Sequence, residues 1–142
     1  MDNTKIQIGF TDTNDPVELT NEDFIGNTLV IGQSGNGKTT SLINIAVAEI
    51  LQGKKGLLID PYGDIIKAIQ EYVPKDSIKV FDVKDGELRS TFQKFKEDNS
   101  SFYLYNLDYS LIGSHAARNL GIQLVTEFLE SCKDIKTPIS LF

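Results

Sequence analysis

Between Thr28 and Thr40 the chain reads TLVIGQSGNGKTT, and Gly32, Gly37, Lys38 and Thr39 fall at the spacing GxxxxGK[ST]. Each residue type in that spacing has a physical reason. Glycines accept positive φ, so the backbone curls and successive N–H groups can point at one centre. Such a centre suits the oxygens of a triphosphate, and Gly32, Gln33, Ser34, Gly35, Asn36, Gly37, Lys38, Thr39 and Thr40 are its candidate residues. Here Lys38 would reach the outer phosphates and the Thr39 hydroxyl would ligate Mg²⁺. Both stand at the start of a helix, whose partly positive end favours an anion.

A loop of this kind needs a strand before it and a helix behind it. Leu29, Val30 and Ile31 form an apolar run that reads as the strand. From Thr40 to Leu51 the apolar positions Leu42, Ile43, Ile45, Ala46, Val47, Ile50 and Leu51 cover most of a helix, which is expected to be largely buried and to end at Gly53. Gly56 to Asp60 is a continuous apolar strand closing on an acid, the pattern of a strand inside a parallel sheet. Asp64 is placed to cap a helix from Ile65 to about Tyr72, with Ile65, Ile66, Ile69 and Val73 inward and Pro74 beyond its end.

Ile78 to Asp82 reads as a short strand and the charged run Lys84 to Asp98 as a surface helix carrying Leu88, Phe92 and Phe95. Ser101 to Leu107 is a further strand. Ser114 is placed to cap a helix running to about Lys133, with Ala117, Leu120, Leu124, Val125, Phe128, Leu129 and Cys132 as its core stripe. Gly121 interrupts that helix, which either close packing or a kink would explain. Thr137 to Phe142 opens another apolar strand, and at the other end Lys5 to Phe10 and Val17 to Leu19, within residues 1–25, form a hairpin-like start. Strands alternating with helices imply an α/β fold, mainly a parallel sheet with helices on both faces.

The 142 residues suffice for one compact domain and are too few for two well-buried ones, so a single domain over 1–142 is expected. A net charge of −6 argues against a simple basic-patch binder of nucleic acid. It leaves room for a motor that touches phosphates through a few residues lining an oligomer's channel. No apolar stretch is long enough to span a bilayer and no signal peptide precedes the first strand. With a lone cysteine, Cys132, the expected setting is cytoplasmic.

Other side chains have plainer readings. His115 has no second His or paired Cys to make a metal site. Arg118 and Arg89 are the only arginines, and a surface salt bridge is the simpler role for Arg118. Strand packing accounts for Tyr103, Tyr105 and Tyr109 more economically than base stacking does. Asp60, at the carboxyl end of a strand, suits a place near the nucleotide and a turn-capping role equally. Asp60-Pro61-Tyr62-Gly63 matches the DxxG of GTPases, but it follows Lys38 too closely for a strand with a switch threonine, and no NKxD-like guanine reader lies downstream.

With its neighbours, GLLIDPYGDII resembles the "DPhGD" segment of the HerA/FtsK class of DNA-pumping ATPases, which includes conjugative coupling proteins. IQIGF is similar to that family's first strand, VIGQSGNGKTTSL to its phosphate loop, and FYLYNLDYSLIGSHAARNLGIQLV to the segment before its second acidic motif. The resemblance covers nearly the whole chain. It implies a RecA-like P-loop NTPase that binds Mg-ATP, with Lys38 and Asp60 as candidate catalytic residues, working on DNA as a homo-hexameric ring. Tyr62 stands where the family usually has His or Lys. The family's Asp-Glu pair, which orients Mg²⁺ and activates water, should follow the strand begun by TPISLF, so the chain is expected to be the N-terminal part of a larger domain. Two rival readings are a non-catalytic nucleotide-binding module and a small-molecule kinase, the latter weakened by the shortage of arginines.

Overall fold

A computed structural model describes residues 5–24, 28–83, 102–134 and 139–142. Contacts within the chain define two compact units, Met1–Ala48 and Glu49–Phe142.

In the first unit, β1 (Lys5–Phe10) and β2 (Pro16–Thr20) form the expected antiparallel hairpin, with the register shifting between Gln7 and Gly9. Alternation buries Ile6 while Lys5 and Gln7 face water. The Lys5 ammonium meets the Glu18 carboxylate at 2.8 Å, and that hydrogen bond and the charge attraction raise the lysine pKa. The pair is solvent-exposed, so it steers the register more than it stabilises the fold. Past the hairpin, the backbone amide and hydroxyl of Thr20 both donate to Asp23, which lowers the Asp23 pKa.

The strand expected at Leu29, Val30 and Ile31 does not form. Leu29 is 80% and Ile31 82% exposed, and none of the described strands pairs with them. Strand preference alone does not make a strand; a ladder partner does. Helix α1 (Lys38–Leu51) begins at the lysine of the loop. Ile45, Ala46 and Ile50 are buried, but Leu42, Ile43 and Val47 are half-buried and Leu51 is exposed, so α1 is less enclosed than its apolar pattern implies.

In the second unit α1 ends as expected at Gly53. The Gly53 amide donates to the Ile50 carbonyl and the Lys54 amide to that of Glu49, satisfying two of the last open carbonyls. Then follow β3 (Gly56–Asp60), α2 (Asp64–Tyr72), β4 (Ile78–Asp82), β5 (Phe102–Asn106), α3 (Tyr109–Ile112), α4 (Ser114–Cys132) and β6 (Ser140–Leu141). The predicted helix at Lys84–Asp98 lies outside the described residues. The four strands make an all-parallel sheet in the order β4-β5-β3-β6, with Asp60 and Asp82 both in register with Asn106.

One sheet face and α4 share the main core, where Leu57, Tyr103 and Tyr105 meet Leu124, Phe128 and Cys132. Phe81 stacks on Tyr105 with ring centroids 4.9 Å apart, so these tyrosines serve packing. Leu58 and Leu104 point the opposite way by strand alternation, to the side on which Ile66 and Ile69 of α2 are buried. The chain is therefore α/β, a four-stranded parallel sheet flanked by helices. The connection β3–α2–β4 runs across the sheet in one direction and β5–α4–β6 in the other, which with right-handed crossovers puts their helices on opposite faces.

Two helix starts differ from expectation. Gly63 occupies the cap position of α2 and Gly113 that of α4, so Asp64 and Ser114 are the first helical residues and neither caps. In the core stripe of α4, Leu129 is the exception, at 45% exposed. Helix α4 continues through Gly121, where an added methyl would stand 3.7 Å from Leu107 and 4.0 Å from Ile59, which is ordinary contact. Neither tight packing nor a break requires glycine there. Gly121→Ala should therefore raise the urea-unfolding free energy by about 0.5–1 kcal/mol, through helix preference and a less flexible unfolded chain. A lowered midpoint would show that the backbone at Gly121 needs a freedom alanine lacks.

Candidate functional site

The loop between Gly32 and α1 is irregular, with none of its amides in a ladder. Gly35 and Gly37 take φ of 85° and 82°, in the left-handed region that glycine enters without penalty. Alternation between that region and ordinary turn conformations is the geometry that turns successive N–H groups to the same side. The Asn36 amide donates to the Gln33 carbonyl at 3.2 Å, closing the tightest part of the turn. The first intrahelical bond follows, from Ser41 to Gly37 at 2.9 Å.

Lys38 is the first residue of α1 and folds back over the loop. Its ammonium donates to the carbonyls of Gly32 at 2.6 Å and Gln33 at 2.8 Å. Two of its three donors thus fix the charge across the loop, and a third remains for an anion. No described residue accepts from the amides of Gly37, Lys38, Thr39 or Thr40. The first turn of α1 contains no acidic side chain, so nothing there offsets its positive end. Thr39 and Thr40 are exposed and Lys38 is half-buried. The residues from Gly32 to Thr40 thus run without a break through a tight turn into the first turn of α1.

Asp60 belongs to the second unit and is 2% exposed. One carboxylate oxygen accepts the Tyr62 amide at 3.1 Å and the other the Ile66 amide at 3.0 Å. Asp60 therefore does for α2 what Asp64 was expected to do. It reaches forward over the Pro61-Tyr62-Gly63 turn to bond an otherwise open amide in the first turn. The turn itself is held from behind, since Gly63 has φ of 88° and a side-chain carbon there would lie 2.6 Å from Asn106 Nδ2. Asn106 also donates to Asp82 and accepts from the Asp108 amide, locking the carboxyl ends of three strands together. Sequence patterns gave no sign of Asn106, because its role comes from the pairing of β3 with β5.

The remaining candidates scatter. His115 is exposed, within 3.3 Å of Asn119 on its own helix. Arg118 is exposed on α4 and forms no salt bridge with a described residue, contrary to its simplest expected role. Among the described residues no group of three His, Cys, Asp or Glu converges as a metal site, and no helix is long and apolar enough to cross a membrane. No protein-family model matches the chain, and comparison with curated proteins and with solved structures finds no match either.

The capping geometry makes a definite prediction. Asp60→Ala leaves the Ile66 and Tyr62 amides without their acceptor and should cost about 1–3 kcal/mol in chemical unfolding, while Asp60→Asn, which keeps one acceptor oxygen, should cost less. Unchanged stability in Asp60→Ala would mean that these bonds contribute nothing to the fold.

Proposed function

We propose that the loop from Gly32 to Thr40 binds the phosphates of Mg-ATP, and that the chain is a RecA-like P-loop domain. The observation that carries this reading is the geometry at Lys38. Left-handed glycines, amides without an acceptor at a helix start and an ammonium held across the same loop all fall within one short stretch. The residues fit a triphosphate as well as their spacing does. Bound Mg²⁺ would supply charge neutralisation at the outer phosphates, and Thr39 is the residue of the loop that would hold it. The loop amides and Lys38 would stabilise charge developing on the terminal phosphate.

A motor role on DNA, within a homo-hexamer of the HerA/FtsK or coupling-protein type, is the further reading. It rests on the resemblance of GLLIDPYGDII and its neighbours alone. A second reading, a module that binds nucleotide without turnover, is favoured by one specific observation. Both oxygens of Asp60, the only acid given a catalytic role, are already committed to backbone amides. Measuring phosphate release beside ATP affinity separates the two, since a non-catalytic module binds ATP and releases no phosphate.

Isothermal titration with Mg-ATP tests the nucleotide claim. Lys38→Ala should weaken binding by at least tenfold, the loss of about 1.4 kcal/mol or more expected when a charged donor to phosphate is removed. Circular dichroism should show α1 intact. Equal affinity in the variant would refute the assignment.

A further inference from the structure

The second unit has a groove of its own. It is an open groove of about 400 Å³ at the carboxyl ends of β3 and β5, bounded by Ile59, Pro61, Leu107 and Tyr109 on the strand side and by Gly121 and Val125 of α4. Its size lies in the range of small-molecule pockets.

Its position in the fold is a second, independent pointer. Beyond β3 the chain departs to α2 on one face, and beyond β5 it departs to α4 on the other. Adjacent strands whose connections leave in opposite directions open a crevice at their carboxyl ends, and open α/β sheets bind ligands in such crevices. The walls are fixed beforehand. The Leu107 amide donates to the Asp60 carbonyl and the Tyr109 amide to the Pro61 carbonyl, both at 3.0 Å. The Tyr109 ring is held edge-on by Tyr62, centroids 5.4 Å apart.

The lining is apolar with one charged exception. Thr126 spends its hydroxyl on the Ile122 carbonyl at 2.8 Å. Among the described residues Arg118 alone brings a formal charge to the groove, in a chain whose net charge is −6. Its guanidinium has no ion pair or hydrogen bond with any described residue. An apolar cleft with a single free cation at its edge complements a molecule with a hydrophobic body and one acidic group.

We propose that this groove between α4 and the carboxyl ends of β3 and β5 binds a small organic anion with an apolar body, its acid held by Arg118. Its lining comes from the second unit alone, and the proposal does not depend on the nucleotide reading. Gly121 gives the body its room, because a bulky side chain there would project into the groove.

Two fluorescent probes with the same kind of aromatic body test this on the full chain. 1-Anilinonaphthalene-8-sulfonate carries an acid; N-phenyl-1-naphthylamine does not. The sulfonate should bind saturably at one equivalent and more tightly than the neutral probe. Arg118→Gln should weaken the sulfonate by roughly five- to tenfold and leave the neutral probe unchanged. Gly121→Leu should weaken both, with thermal melts verifying the fold of each variant. Sulfonate binding unaffected by Arg118→Gln would overturn the proposal, as would displacement of the sulfonate by Mg-ATP. So would self-association abolished by Gly121→Leu without probe binding, which would give the groove to a second copy of the chain.

Discussion

The first amides of any α-helix have no acceptor inside the helix, and that constraint organises both units of this protein. Helices α1 and α2 meet it in opposite ways. At α2 a buried carboxylate, Asp60, bends over a tight turn and accepts from Ile66, so the helix start is closed from within. At α1 the chain brings glycines, hydroxyls and an ammonium to the same position, and no carboxylate. One helix start is satisfied by the protein, and the other is left facing solvent with its positive end unopposed. The functional reading follows from that difference.

Closing α2 internally has consequences for the sheet. Asp60 and Asn106 are in register across β3 and β5, and Asn106 stands against Gly63 while bonding Asp82 and Asp108. The carboxyl ends of three parallel strands are thereby tied into one polar layer above the aromatic core of Tyr103, Tyr105 and Phe128. A layer so constrained can present a fixed crevice, because the turns that leave it have little freedom to move. The bare backbone of Gly121 deepens that crevice at some cost in helix preference, a trade commonly made where a surface has work beyond packing.

Much of this architecture is legible in the residue pattern. Gly56 to Asp60 and Ile78 to Asp82 are strands over the expected residues, and α2 and α4 start and stop within a residue or so of prediction. The strands are short apolar runs suited to the inside of a sheet, and the helices carry apolar stripes that pack against it. The misses share a cause. Leu29, Val30 and Ile31 have strand preference but no ladder partner, and Leu29 and Ile31 are left exposed outside any strand. Asp64 and Ser114 have cap chemistry but stand one residue too late, because Gly63 and Gly113 bring the helix start forward. Asp60 supplies the acceptor from before the turn, a reach that local sequence rules do not consider. In the loop from Gly32 to Thr40 the glycine and lysine spacing was legible in the sequence. That Lys38 would be held by the carbonyls of Gly32 and Gln33 was not, since backbone acceptors leave no mark in a sequence.

The central claim is that backbone amides between Gly35 and Thr40 converge on phosphate, and amide chemical shifts report that directly. Adding Mg-ATP to ¹⁵N-labelled protein should move the amide resonances of Gly35, Asn36, Gly37, Lys38 and Thr39 together along one saturating isotherm, with adenosine alone leaving them in place. If those resonances stay fixed while others titrate, or if adenosine moves them as far as Mg-ATP does, the loop is not the phosphate site and the account fails.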